Sequence, residues 1–288
     1  MAKIELDGRL GLVSNCWNNQ LAEGASLAAL VQQAAEEGFR FVELRQGCLG
    51  ECEDSESRLP FADSLRQLAQ SCPEVTFNLA VELAVFSERI DVNSKTVETM
   101  LQSACALAEN GHPAHLRIVD LVSKIVPAEC SINDETSSSL SLQNVVETLA
   151  SLKAKLPGGI VSVEHSFQPW AGVQKLFETA NATAPMLQFC YDPCNFWLAG
   201  DGEEANEITA GLPIDWLSMV HLKQRVENSV TPRLEPGRLD WSKQLGLLAR
   251  AGYSGPFLFE TAPDENVWDR LRESRDYLEA VISELQSC

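Results

Sequence analysis

Alternating strand and helix patterns predict a single-domain α/β barrel of eight parallel strands ringed by helices, and three observations carry that prediction. Eight strand-plus-helix units fit within 288 residues, a length typical of such a barrel. Strands such as FRFVEL, GIVSVE and GPFLFE are near-continuous apolar runs, as strands covered by helices on one face and by a barrel core on the other must be. Glu164, Asp192, His221 and Glu260 each end a strand about one unit after the previous one, and the carboxyl ends of barrel strands converge on one rim. A doubly wound open sheet shares the alternation, but no Gly-rich dinucleotide loop follows the first strand. Two small domains would also suit the length. No stretch reads as a linker, however, and the Ser-rich Cys130 to Ser141 is short.

The elements follow in order. Leu10 to Trp17 reads as the first strand, and SLAALVQQAAEEG opens with a capping Ser26, carries apolar residues at helical spacing and closes at Gly38. Phe39 to Arg45 is the second strand. Helical spacing from Phe61 to Gln70 leads to a strand at Val75 to Val81, and the run Ser94 to Asn110, ended by Gly111, leads to His115 to Leu121. The second half repeats the pattern: Leu140 to Lys155 before Gly159 to Ser166, Gly172 to Ala180 before Met186 to Pro193, and Glu203 to Ala210 before Leu217 to Lys223. Trp241 to Ala251 then precedes Pro256 to Thr261, and Val267 to Gln286 is the eighth helix.

Composition excludes several classes. A formal net charge of −19 with no basic stripe argues against nucleic acid. The opening MAKIELDGRL lacks the apolar core of a signal peptide, and no uncharged apolar run approaches the roughly 20 residues that cross a bilayer. A cytoplasmic protein with no membrane partner is expected. Nine cysteines without a repeating framework suit reduced thiols. The C-x3-C pairs Cys48/Cys52 and Cys190/Cys194 have the chemistry of a four-thiolate zinc site, yet Cys190 shares strand parity with Asp192 and is expected to fill the barrel interior.

Two Glu, one Asp and one His make an oxygen-rich cage for a divalent cation. Strand parity places Ser162 inward with Glu164, Leu258 with Glu260, Met219 and Lys223 with His221, and Phe41 and Arg45 with Glu43. The rim therefore gathers Glu43, Arg45, Glu164, Asp192, His221, Lys223 and Glu260. Unpaired charges converging there would repel and lose solvation, which a cation would offset. His165 should face the helices, and His112 and His115 should lie at the opposite rim. Trp17, Trp170 and Trp197 follow strands, where aromatic walls line a ligand site or seal the barrel top.

GFRFVELR, VSVEH, CYDPCN, MVHLK and above all EPGRLDWSKQLGLLARAGYSGPFLFET resemble the sugar-phosphate isomerase/epimerase superfamily of xylose isomerase-like TIM barrels, which includes inosose dehydratases and the endonucleases of AP endonuclease family 2. The resemblance spans nearly the whole chain. It implies one divalent metal ion, Mn2+ first with Mg2+, Co2+ or Zn2+ as alternatives, held by Glu164, Asp192, His221 and Glu260. It also implies an isomerase or epimerase acting on a sugar or cyclitol through a metal-stabilised enediolate, with Glu164 and Glu260 exchanging the proton beside the carbonyl. Lys223 and Arg45 would donate to substrate oxygens, and Asn195 to a hydroxyl. Two departures leave the substrate open: Asn195 stands where many relatives carry His, and Gln224 where many carry Asp. With only four His, the chain lacks the extra ligands of the endonuclease branch. An inosose-type dehydratase, or a non-catalytic barrel binding a small ligand, are the alternatives; a homo-oligomer is compatible with all of them.

Overall fold

The computed structural model describes residues 5–287 except 109–110, 122–139, 167, 183–185, 199–201 and 228. Its strands are β1 (Leu10–Val13), β2 (Phe41–Arg45), β3 (Thr76–Glu82), β4 (His115–Val119), β5 (Ile160–Glu164), β6 (Gln188–Tyr191), β7 (Leu217–Leu222), the two-residue β8 (Arg225–Val226) and β9 (Ser229–Val230), and β10 (Phe257–Phe259). Eight of them close into a barrel in the order β1-β10-β7-β6-β5-β4-β3-β2, and neighbouring strands run parallel. β8 and β9 pair as an antiparallel hairpin after β7.

The helices are α1 (Asn18–Ala22), α2 (Leu27–Glu36), α3 (Ala62–Ser71), α4 (Lys95–Ala106), α5 (Leu142–Ala154), α6 (Trp170–Ala180), α7 (Gly202–Gly211), α8 (Trp241–Arg250) and α9 (Val267–Ser287). Their starts are chemically marked: the side chains of Ser26, Ser94, Ser141 and Asp240 accept hydrogen bonds from first-turn amides of α2, α4, α5 and α8. Gly38, just past α2, adopts φ +88°, the left-handed turn that only glycine makes without strain.

The strand expected over Leu10 to Trp17 ends at Val13. The Ser14 hydroxyl accepts the Arg45 amide at 2.9 Å, and residues Ser14–Trp17 wind into a 3-10 turn. Cys16 and Trp17 are buried in that turn, so their apolar character prolongs the apparent strand. The Ser-rich segment Cys130 to Ser141 lies, up to residue 139, outside the described residues.

Two concentric layers of core follow from strand parity. Outward-facing Val161, Val163, Phe257 and Phe259 join the large core shared with the helices. Val13, Cys190, Met219 and Leu258 form a separate cluster inside the barrel, with Phe41 packed against it. Cys190 thus fills the interior, as its parity predicts. The described cysteines are free thiols.

Candidate metal centre

Glu164 ends β5, Asp192 follows β6, His221 lies near the end of β7, and Glu260 follows β10. These are the carboxyl ends of four consecutive barrel strands. One ligand atom from each residue lies within 4.8 Å of the others, and all four side chains are buried. His221 Nδ1 is 3.1 Å from Glu260 Oε2 and 3.6 Å from Glu164 Oε1. Three carboxylates and an imidazole suit a hard or borderline divalent cation.

Three basic side chains reach into the same acidic cluster. Lys223 Nζ pairs with Asp192 and lies 2.9 Å from Glu260 Oε2, Arg45 Nη1 lies 3.2 Å from Glu260 Oε1, and Arg117 pairs with Glu164. Burial alone would push every carboxylate up. Lys223, His221 and Arg45 nevertheless hold Glu260 well below the usual carboxylate range, and Arg117 with His221 lowers Glu164. Asp192 goes the other way: burial, with the Glu260 and Glu164 charges, outweighs Lys223 and raises it.

Beneath the rim lies a polar layer that sequence reasoning caught only in part. Glu43, fully buried, accepts from Asn78 Nδ2 at 2.6 Å and is gripped by the Arg117 guanidinium. Its Oε1 stands 3.5 Å from His221 Nε2, so a carboxylate backs the imidazole on the side away from Glu260. Such backing fixes the tautomer and orientation of a metal-binding His. Burial lowers the His221 pKa, but the surrounding acidic groups prevail and raise it. Cys190, 3.2 Å away, is pushed up to about 12 by burial; it is a neutral thiol at pH 7, so the carboxylates supply that effect. Arg117 was missed altogether. Its signal was a lone charge in HLRIV, at the inward parity of His115 and Val119.

A cavity of about 420 Å³ opens above the cluster, lined by Arg45, Glu164, Asn195, Lys223, Arg225 and Glu260 among others. All three residues expected to touch substrate therefore border it. Asn195 Nδ2 donates to Glu164 Oε1 at 3.1 Å and to the His165 carbonyl at 2.9 Å, so the residue that departs from the resembled pattern orients a candidate ligand. Gln224, the other departure, is fully buried and donates to the Glu235 and Leu239 carbonyls while accepting the Leu239 amide. It clamps the EPGRL loop, and a Cβ on Gly237 would meet its Cδ at 2.5 Å.

His165 faces outward as parity requires. It stacks on Phe196 at 3.9 Å between ring centroids, and burial drops its pKa to about 3. His115 hydrogen-bonds Ser162 at 2.8 Å and, with His112, borders a cavity at the opposite barrel mouth. Trp17 packs on Trp268 and Trp170 on Phe189; both seal the barrel wall away from the cavity. The side chain of Trp197 lies outside the described residues. A larger open groove, about 930 Å³, runs beside Phe61, just before α3, and Cys105 on α4, remote from this chemistry.

The fold and rim place the chain among (β/α)8 barrels, whose chemistry sits at strand carboxyl ends. More narrowly, a family model described as xylose isomerase-like TIM barrel matches residues 31–281, and the chain belongs to that family. No curated protein matches it. Among solved structures it is similar to a xylose isomerase domain-containing protein from Salmonella typhimurium LT2, at TM-score 0.67 and 19% identity over 96% of this chain and 99% of that one. It also resembles the IOLI protein solved with a binding zinc atom, at TM-score 0.62 and 14% identity over 96% and 97%. A D-tagatose 3-epimerase-like protein is similar at TM-score 0.63 and 16% identity over 96% and 99%. At such identities the likeness is one of fold.

Proposed function

We propose that the chain is a divalent-metal-dependent isomerase or epimerase acting on a sugar or related polyol. The observation that carries this reading is the convergence of Glu164, Asp192, His221 and Glu260 within 4.8 Å on the strand-end rim. A zinc-bound structural neighbour and an epimerase-like one support it.

When bound, the cation supplies Lewis-acid polarisation of a carbonyl and its neighbouring hydroxyl. The chain's own residues do the rest. Asp192 and His221, with Glu164 and Glu260, would hold the ion, and Glu43 fixes the imidazole from behind. Glu164 and Glu260 come from β5 and from the end of β10, with β6 and β7 between them. They thus approach a substrate in the cavity from two sides. Both are held ionised at neutral pH, the state in which a carboxylate accepts a proton. One removes the proton beside the carbonyl and is thereby protonated, the other returns a proton that it has first taken up from water, and exchange with water resets the pair. Asn195 steadies Glu164, while Lys223 and Arg45 present donors to substrate oxygens.

Two measurements test this. Metal analysis after manganese loading should show about one equivalent, lost in Asp192→Ala and in His221→Ala. In deuterated water the enzyme should wash deuterium into the carbon beside the carbonyl of its substrate, and Glu260→Gln should slow that exchange by about 10²- to 10⁴-fold. Variants that bind as much metal as the parent would refute the site. Loss of water from a cyclitol instead of isomerisation would shift the assignment to a dehydratase built on the same residues.

A further inference from the structure

We propose that the substrate carries an anionic oxygen group, a carboxylate or a phosphate, seated against Arg45 beside the metal centre. This rests on the metal-dependent reading above and names the class of substrate that reading leaves open.

The first argument is charge balance. Glu43, Glu164, Asp192 and Glu260 bring four negative charges, and Arg45, Arg117 and Lys223, each ion-paired to at least one of them, bring three positive charges. Metal binding requires a neutral His221 and ionised ligand carboxylates, and in that state the side chains carry one net negative charge. A divalent cation reverses this to one net positive charge. Moving a proton between a substrate carbon and Glu164 or Glu260 shifts charge within the site and leaves the total unchanged. A neutral sugar would therefore leave a net positive charge in a site where, Arg45 apart, the six charged side chains are nearly sealed from water. Buried charge without a partner is costly. One anionic group on the substrate cancels it.

The second argument is where that group would sit. Arg45 is the site cation most open to the cavity: its side chain is 25% exposed, against 1% for Arg117 and 6% for Lys223. Among the described residues its guanidinium hydrogen-bonds Glu260 alone. A planar fork with five donors then has capacity left for a carboxylate or phosphate. Lys223 and Arg225 line the same cavity, together with Glu164 and Glu260. With the cation bound, the balance at this point of the surface turns positive and favours an anion.

Titration calorimetry on Mn2+-loaded protein with three six-carbon ketoses tests the idea: fructose, fructose 6-phosphate and 2-ketogluconate, at fixed ionic strength. At least one charged probe should bind ten-fold or more tighter than fructose, and which one does so identifies the anion. In Arg45→Gln that ratio should fall several-fold while Mn2+ stoichiometry stays at one, and Arg45→Lys should restore part of it. Equal or tighter binding of fructose, binding of none of the three, or a ratio untouched by Arg45→Gln would overturn the proposal. A protein that takes up no Mn2+ refutes the metal centre and this inference together. One that binds Mn2+ and fructose without favouring either anion refutes this inference alone.

Discussion

Arg117 shows how much of the site rests on a side chain that never reaches the cavity. It is fully buried, grips Glu43 through two nitrogens and pairs with Glu164 through the third. It thereby ties the polar layer inside the barrel to a candidate ligand on the rim. Removing one partner of a buried ion pair strands the other, at a cost of about 3–5 kcal/mol. Arg117→Met should lower unfolding stability by about that amount. It should also weaken Mn2+ binding about 10- to 100-fold, as loss of an outer-shell partner does. Adding Glu43→Gln should recover part of the stability, because the stranded charge is then gone. Urea unfolding and manganese titration measure both effects, and an Arg117→Met protein as stable as the parent would show the pair to be dispensable. The four candidate ligands were legible because each ends its strand at a regular interval. Arg117 was not, because its partners lie on the neighbouring β5 and, beyond β3, on β2, and only the curvature of the sheet brings both around one inward side chain.

At the scale of elements, the two-sided apolar strands and capped helices were readable in order, and the errors fall where burial imitates periodicity. The first strand is the case in point: Cys16 and Trp17 are buried by a 3-10 turn rather than by strand pairing, and hydropathy does not separate the two. The β8–β9 hairpin was missed because two-residue strands leave no pattern to read. Packing between β1 and β2 makes its own demand. Gly11 pairs with Phe41 across the sheet and shares inward parity with Val13, in the layer that the Phe41 ring occupies. A Cβ there would stand 2.4 Å from the Phe41 carbonyl oxygen and 2.6 Å from its Cβ. Neither atom can swing away as the tip of a flexible side chain could. Gly11→Ala should therefore cost about 1–3 kcal/mol, the usual range for overpacking, read as a lower melting temperature with far-UV circular dichroism retained. An unchanged melting temperature would mean that β1 shifts freely against β2.

The whole molecule is closed by contacts between its two ends. β1 pairs with β10, the Arg9 guanidinium donates to the Gly255 carbonyl at 2.7 Å and to the Tyr253 carbonyl at 3.2 Å, and Gln20 donates to the Asp264 carbonyl at 2.9 Å. Arg275 on α9 reaches the Glu37 carbonyl at 2.6 Å, and its guanidinium lies over Phe39. Each contact joins residues more than 230 positions apart. Cutting the chain near residue 150 would leave four barrel strands on each side, and each set would expose two open edges and half of an interior that only closure buries. We therefore propose that the chain folds as one domain. Residues 1–150 and 151–288 produced separately should show no cooperative thermal transition, whereas the intact chain should melt cooperatively with far-UV circular dichroism and tryptophan fluorescence changing together. Two transitions in the intact chain, each reproduced by one of the halves, would divide the barrel into independent units. The metal centre would then have to form within residues 151–288 alone, which carry all four candidate ligands but neither Glu43 nor Arg117.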